Sequence, residues 1–287
     1  MDELFIINPI SGNGRKKKIE RMLRSKGCRI AYTQYAGHAE ILAAEASESV
    51  VVAVGGDGTV NEVARGALAG GKSLGIIPCG SGDGLALHLG ISRNPRKALQ
   101  TILAGRTVPL DCPVMTCGNE RKRFFSVCGV GLDALVSWRF AQSHSRGLWT
   151  YVREAFRAWK GFQCEEYVIK VDGKELRRKA VLVTVANSNQ WGNQARIAPH
   201  ADSGDSLLDI TVIHPFSSLQ IPSLALRLMT GRIDGSRFAE CLRGSSIRIE
   251  RTSNGPAHFD GDCFHCGCTI DIEVGGEKLK VLAGPAT

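Results

Sequence analysis

Several features are missing from this chain, and each absence removes a class of function. No apolar run approaches the ~18 residues that a membrane-spanning helix needs, so any membrane contact is expected to be peripheral. The opening residues, Met1 to Phe5, carry no basic stretch and no small-residue cleavage site, so no secretory leader is expected. Net charge is +8, yet apart from Arg15–Lys18 and Arg121–Arg123 the basic residues are scattered. A nucleic-acid binder would concentrate them in one domain or stripe, whereas ATP or an anionic membrane surface fits the scattered pattern as well. The 10 cysteines lack the dense, even spacing of a disulfide scaffold, which predicts a reducing, cytoplasmic setting. There is no internal repeat and no low-complexity linker.

What is present is organised around one stretch. Val50 to Val54 is a short, apolar, β-branched run that reads as a buried parallel strand, and it ends at Gly55, Gly56 and Gly58, spaced closely around Asp57. Glycine lets the backbone turn sharply and removes the Cβ that would hold a polyphosphate away, so successive N–H groups can point at its oxygens. The helix predicted over 60–68 brings the positive end of its dipole to the same spot. A bare carboxylate beside phosphates is repelled. Asp57 therefore either shares a Mg²⁺ with them or merely caps the helix in a tight turn.

Gly55, Gly56, Asp57, Gly58 and Thr59, followed by Val60, Asn61, Glu62 and Val63, resemble the signature of the diacylglycerol kinase catalytic-domain family, which includes bacterial lipid kinases and the sphingosine and ceramide kinases. A similar Gly-Gly-Asp-Gly element occurs in NAD kinases and phosphofructokinases, so alone it indicates phosphoryl transfer and not the acceptor. The resemblance implies ATP and Mg²⁺ at these residues. It also places Asn8, Ser11 and Gly12, in the loop after a first strand at 4–7, at the phosphates or ribose. Thr33 and the Gly37-His38-Ala39 turn fall near the adenine, although a lone His at a helix start also reads as a cap. After a strand at 74–77, Gly80, Ser81, Gly82 and Asp83 match the family's second glycine loop, which usually ends in Asn. An ionised carboxylate cannot donate to a phosphate as an amide can. Asp83 therefore helps hold a cation, or turns from the phosphates, or lowers nucleotide affinity.

Strand and helix alternate at short spacing through residue 109, which predicts an α/β fold with a doubly wound parallel sheet and ligand loops at the strands' carboxyl ends. Beyond it, β-like segments at 124–128, 167–171, 180–185, 208–213, 246–249 and 269–274 alternate with turns. They predict a second domain over 110–278, mainly antiparallel and a β-sandwich. In the resembled lipid kinases the last strand often returns to the first domain, a role open here to 279–287.

The second half extends the resemblance. Gly129 to Ala134 is similar to the family's Gly-Phe-Asp-Ala segment, and Arg146 to Tyr151 to its Arg-Gly and Tyr pattern. Ala198 to Asp209 resembles a segment in which some bacterial members hold a structural Mg²⁺, which would fall on Asp205; a simple Asp turn is the alternative. Trp149, Val152, Phe156 and Trp159 lie at helical spacing among Arg153, Arg157 and Lys160, either packed on a core or at a lipid interface. Asp260, in Phe259-Asp260-Gly261-Asp262, takes the family's general-base position, with Asp262 where Glu is usual; read alone, the tetrapeptide is an Asp-Gly hairpin turn. Cys263, His265, Cys266 and Cys268 suggest zinc, but no second ligand pair stands at a finger-like distance, and strand alternation would send them to opposite faces.

The expected activity is ATP-dependent phosphorylation of a lipid's primary hydroxyl, the lipid being presented by a membrane surface. Asp57 and Asp262 assist Asp260. Diacylglycerol is the first acceptor, because Leu135 stands where animal sphingosine kinases carry an acid suited to the sphingoid amine. A sphingoid-base kinase, an impaired nucleotide- or lipid-binding regulator and a kinase of soluble NAD are the rivals. The resemblance also allows a homodimer.

Overall fold

The structure, a computed structural model, describes residues 2–10, 15–142 and 148–284. The chain forms two compact units, one running to Leu110 and resuming at Glu277, the other Asp111–Gly276. The first contains β1 (Glu3–Ile7), α1 (Arg15–Ser25), β2 (Arg29–Tyr32), α2 (His38–Glu45), β3 (Val50–Gly55), α3 (Asp57–Ala69), β4 (Ser73–Pro78), α4 (Gly84–His88), α5 (Pro95–Leu103) and β5 (Thr107–Asp111). The second contains β6 (Val114–Cys117), β7 (Glu120–Arg123), β8 (Val127–Gly131), α6 (Leu132–Gln142), α7 (Leu148–Gly161), β9 (Glu165–Val171), β10 (Lys174–Ala180), β11 (Leu182–Ala186) and β12 (Leu208–Ile213). It continues with α8 (Ile221–Thr230), β13 (Ala239–Gly244), β14 (Ser246–Arg251), β15 (Gly255–Phe259), β16 (Asp262–Cys266) and β17 (Thr269–Glu273). A last strand, β18 (Lys278–Leu282), belongs to the first unit's sheet.

That sheet has the order β2-β1-β3-β4-β18-β5, and β1 to β4 pair in parallel. Phe5 to Ile7, Val51 to Val54, Ile76 and Ile77 are fully buried, because helices cover both faces; this is why the strands read as unbroken apolar runs rather than alternating ones. The chain leaves β1 for β2 on one side and returns to β3 on the other. The crevice at the carboxyl ends of β1 and β3 is thus the switch point where such sheets take ligands.

The second unit is a sandwich of two six-stranded sheets, β10-β9-β14-β17-β6-β7 and β13-β12-β11-β8-β15-β16, with antiparallel pairing throughout the described ladders. Its core interleaves Tyr167, Ile169, Ile247, Ile249, Ile270 and Ile272 of one sheet with Val130, Val183, Val185, Ile210 and Val212 of the other. Two ties join the sheets towards opposite ends of the strand order. Cys117 on β6 and Cys266 on β16 form a disulfide, and Arg178 on β10 pairs with both oxygens of Glu240 on β13 at 2.7 and 3.0 Å. The disulfide departs from the expectation of reduced thiols, since folding brings together two cysteines 149 residues apart. It also removes Cys266 from any zinc set, and no group of three or more metal-ligating side chains occurs among the described residues.

Candidate active site

In the first unit, two glycine loops meet. Gly55 ends β3 and Gly80 follows β4, and a Cβ on Gly80 would lie 2.6 Å from the Gly56 Cα. Only glycine permits that approach. Gly56 is the N-cap of α3, with extended backbone, and the helix starts at Asp57, three residues before its predicted start. The first-turn N–H groups, at Asp57, Gly58 and Thr59, have no partner inside the helix. Gly58 is exposed, and a Cβ there would meet nothing within 4 Å. Asn8, after β1, donates through its side chain to Thr59 Oγ1 at 3.2 Å and bridges the switch point. Thr59 and Asn61 are buried on α3, and Thr33 is buried after β2, its N–H on Ile7 O. Ser11 and Gly12 lie outside the described residues.

Asp57 is the first residue of α3 and leaves the capping position to Gly56; its carboxylate acts on the other loop. Its Oδ2 accepts the N–H of Asp83 at 2.9 Å and its Oδ1 that of Gly84 at 2.7 Å, so the carboxylate clasps the second loop to the first. A Cβ on Gly82 would collide with Oδ2 at 2.7 Å. Burial pushes the Asp57 carboxyl above the ordinary value, and the Asp83 charge adds to that rise while the N–H bonds oppose it. Asp83 itself adopts a left-handed conformation, φ 51°. Its Oδ1 accepts the Gly80 N–H at 2.8 Å, and its Oδ2 pairs with Arg93 Nε at 3.1 Å. Arg93 also reaches the carbonyls of Ser81 and Gly82. The Asp83 carboxylate is thus engaged by an arginine of the same unit and by an N–H of its own loop. Arg93 escaped the sequence reading; the unpaired acid at a family Asn position was the signal that a counter-charge should be near. His38 opens α2 without capping it, since Gly37 holds the N-cap; its ring accepts from Gln34 N in the preceding loop at 3.1 Å and stacks on Tyr35.

In the second unit, Asp260 and Gly261 form the two-residue turn between β15 and β16, with φ of 49° and 88°. The hairpin reading of the tetrapeptide is structurally correct. The turn also aims a carboxylate inward: Asp260 Oδ2 accepts from Phe125 N at 2.7 Å, and Oδ1 from Ser126 N at 2.7 Å and Val127 N at 3.1 Å. Three backbone donors lock its orientation. Asp262 is exposed at the head of β16. Two positions before Asp260, His258 is buried and meets Asp133 Oδ2 at 3.0 Å, where Thr184 Oγ1 also donates at 2.8 Å. Sequence reading noticed Asp133 only through the family segment.

Asp205, expected to hold Mg²⁺ or to form a simple turn, sits before β12. Its Oδ1 accepts Leu207 N at 3.0 Å, and its Oδ2 pairs with Arg243, which also lies 3.6 Å from Asp209. On the aromatic stripe, Trp159 stacks on Phe216 at 4.6 Å, as the core reading expected, while Phe156 is exposed. Arg146 and Gly147 lie outside the described residues, as do the side chains of Trp149, Tyr151 and Val152.

Residues 2–115 match the diacylglycerol kinase catalytic domain, and residues 126–283 match the YegS C-terminal NAD kinase beta sandwich-like domain. The chain belongs to the diacylglycerol kinase catalytic-domain family. It is 26% identical to a diacylglycerol kinase of Mycobacterium tuberculosis, over 96% of this chain and 93% of that one. A relative from Chromohalobacter salexigens, named probable lipid kinase YegS-like, is 28% identical over 85% of this chain and 81% of its own. Among solved structures, a diacylglycerol kinase of Bacillus anthracis superimposes with a TM-score of 0.74 at 21% identity, over 99% of this chain and 97% of that one, and shares the fold. Membership in this family accounts for the pairing of a glycine-loop unit with a β-sandwich.

Proposed function

We propose that the chain is an ATP-dependent lipid kinase that transfers the γ-phosphate to the primary hydroxyl of diacylglycerol. The observation that carries this reading is the contact of Gly56 with Gly80, which joins two glycine loops into one cradle at the switch point, open above Gly58 at the positive end of a 13-residue helix. Nucleotide phosphates bind the N–H groups of that first turn. Asn8 and Thr59 border them, and Gly80, Ser81 and Gly82 form the opposite wall.

A Mg²⁺ arriving with the nucleotide fits one carboxylate at this cradle, that of Asp57, whose oxygens keep lone pairs beyond the N–H bonds they accept. When bound, it draws charge from the transferring phosphoryl. The chain's own residues do the rest. Asp57 keeps the two loops in register, Arg93 keeps Asp83 from repelling the phosphates, and Asp260 accepts the hydroxyl proton as the bond to phosphorus forms. Asp262 supports Asp260 at the hairpin. An inactive regulator is suggested by Asp83 in place of Asn and Asp262 in place of Glu; the Arg93 pair offsets the first of these.

The test is phosphate transfer from labelled ATP to diacylglycerol, monoacylglycerol, sphingosine and ceramide in mixed micelles, with NAD in solution as a further acceptor. Diacylglycerol is expected to be phosphorylated. Asp260→Asn should lower kcat by about 10²- to 10⁴-fold. Asn tolerates the left-handed turn but sets an amide against one of the three backbone donors, so the unfolding temperature should fall, while the ATP affinity of the folded protein should hold. Transfer to no lipid, or an unchanged rate in Asp260→Asn, would overturn the proposal.

A further inference from the structure

Nine large hydrophobic side chains are exposed among the described residues, and four of them, Leu219, Ile221, Leu226 and Met229, fall within one short stretch on α8 and the 3-10 turn before it, Ser218–Gln220. Leu219 is 86% exposed, Leu226 65% and Met229 53%. Leu219, Pro222, Leu226 and Met229 follow a three-four-three spacing and share one helix face. The opposite face is used normally: Leu224 and Leu228 pack into a cluster with Leu182, Ile213, Trp159 and Phe216. A helix that is apolar on both sides should be covered on both. Among the described residues nothing covers the outer one.

The charges around that face indicate its partner. From His214 to Ile233 the sequence contains no acid. Arg227 lies on the helix, its Nη1 donating to Arg232 O at 3.2 Å, and Arg196 is tied to the helix end by its N–H on Leu228 O at 2.9 Å. Arg196, Arg227 and Arg232 enter no ion pair among the described residues. The nearest acid in sequence, Asp234, is engaged by His200 at 3.1 Å. On α7, which joins the same layer through Trp159 stacked on Phe216, the exposed Phe156 carries Lys160 4.9 Å from its ring centre.

We propose that the outer face of α8 and its preceding turn, apolar at Leu219, Pro222, Leu226 and Met229 and rimmed by Arg196, Arg227 and Arg232, docks on the surface of an anionic bilayer. Leucine and methionine enter the acyl boundary while the long arginines reach the headgroup phosphates, the arrangement of an interfacial amphipathic helix. The inference rests on the lipid-kinase reading only in that the acceptor resides in the bilayer.

Flotation of the full-length chain with phosphatidylglycerol-rich and with pure phosphatidylcholine vesicles tests it. The wild type should bind the anionic vesicles and bind the neutral ones more weakly. Leu226→Glu with Met229→Glu should lower binding by roughly 100-fold or more, and Arg227→Gln with Arg232→Gln should abolish the preference for anionic lipid. Both pairs lie outside the catalytic machinery, so phosphorylation of a short-chain diacylglycerol dissolved as monomer should persist at the wild-type rate. If no chain phosphorylates that monomer, the kinase reading fails while the vesicle result still decides the docking. Wild type that stays off anionic vesicles, glutamate variants that bind unchanged, or a self-association in sedimentation that those glutamates abolish while leaving vesicle binding intact, would each overturn the docking proposal.

Discussion

Gly58 and Gly80 belong to one cradle but face opposite demands. A Cβ on Gly80 meets the Gly56 backbone at 2.6 Å, whereas one on Gly58 meets open space at the start of a helix. Gly80→Ala must therefore push the loops apart and lose stability and nucleotide affinity together. Gly58→Ala should leave stability unchanged or raise it by up to about 1 kcal/mol, the helix preference of Ala over Gly. It should nonetheless weaken ATP binding by roughly tenfold or more, because a methyl then stands where phosphate approaches the N–H groups. Calorimetric melting and ATP titration of the two variants separate the effects; Gly58→Ala with full ATP affinity would show that phosphates do not sit there. The glycines and Asp57 were legible because the backbone chemistry that needs them is local. Arg93 was not, since nothing in its neighbourhood on the chain marks it as the partner of Asp83.

At the scale of elements, the sandwich carries a covalent tie towards one end of the strand order and an ionic one towards the other. Glu240 is held below its ordinary value of 4.5, chiefly by the Arg178 hydrogen bonds and against the opposing effect of burial. A carboxyl lowered in the folded state contributes stability that is present above that ordinary value and is lost as pH falls through the folded one. Glu240→Gln should thus cost about 1 kcal/mol at neutral pH, and the gap to wild type should close below pH 4.5. Urea unfolding from neutral to acid pH checks this, and a gap independent of pH would refute it. Asp57 and Asp83 act with the opposite sign, since their raised carboxyls cost stability at neutral pH and are relieved as pH falls. Strands buried on both faces, such as β3, and well-alternating ones, such as β12, could be read from the sequence. The strands β7 and β10 could not, because Glu120–Arg123 and Lys174–Ala180 are charged stretches whose β structure comes from pairing with a neighbour rather than from their own pattern. Nor does spacing show that Cys117 should meet Cys266.

For the whole molecule, chain order and fold order differ. β18 lies between β4 and β5 in the first sheet, with Val281 opposite Leu74, so the first unit is incomplete until the last described strand is in place. Leu279, Val281 and Leu282 are each at most 4% exposed. Burying three such side chains contributes roughly 5–8 kcal/mol, comparable to the entire 5–15 kcal/mol stability of an ordinary domain. The second unit is continuous in sequence and contains both of its sheets and both of the ties between them. Residues 111–276 produced alone should therefore unfold cooperatively with near-native melting. Residues 1–110 alone should show no cooperative transition, and a peptide covering 277–287 added in excess should restore one. Circular dichroism melts of the three samples decide it, and a sharp transition in 1–110 without the peptide would show that β18 is dispensable to the glycine-loop unit.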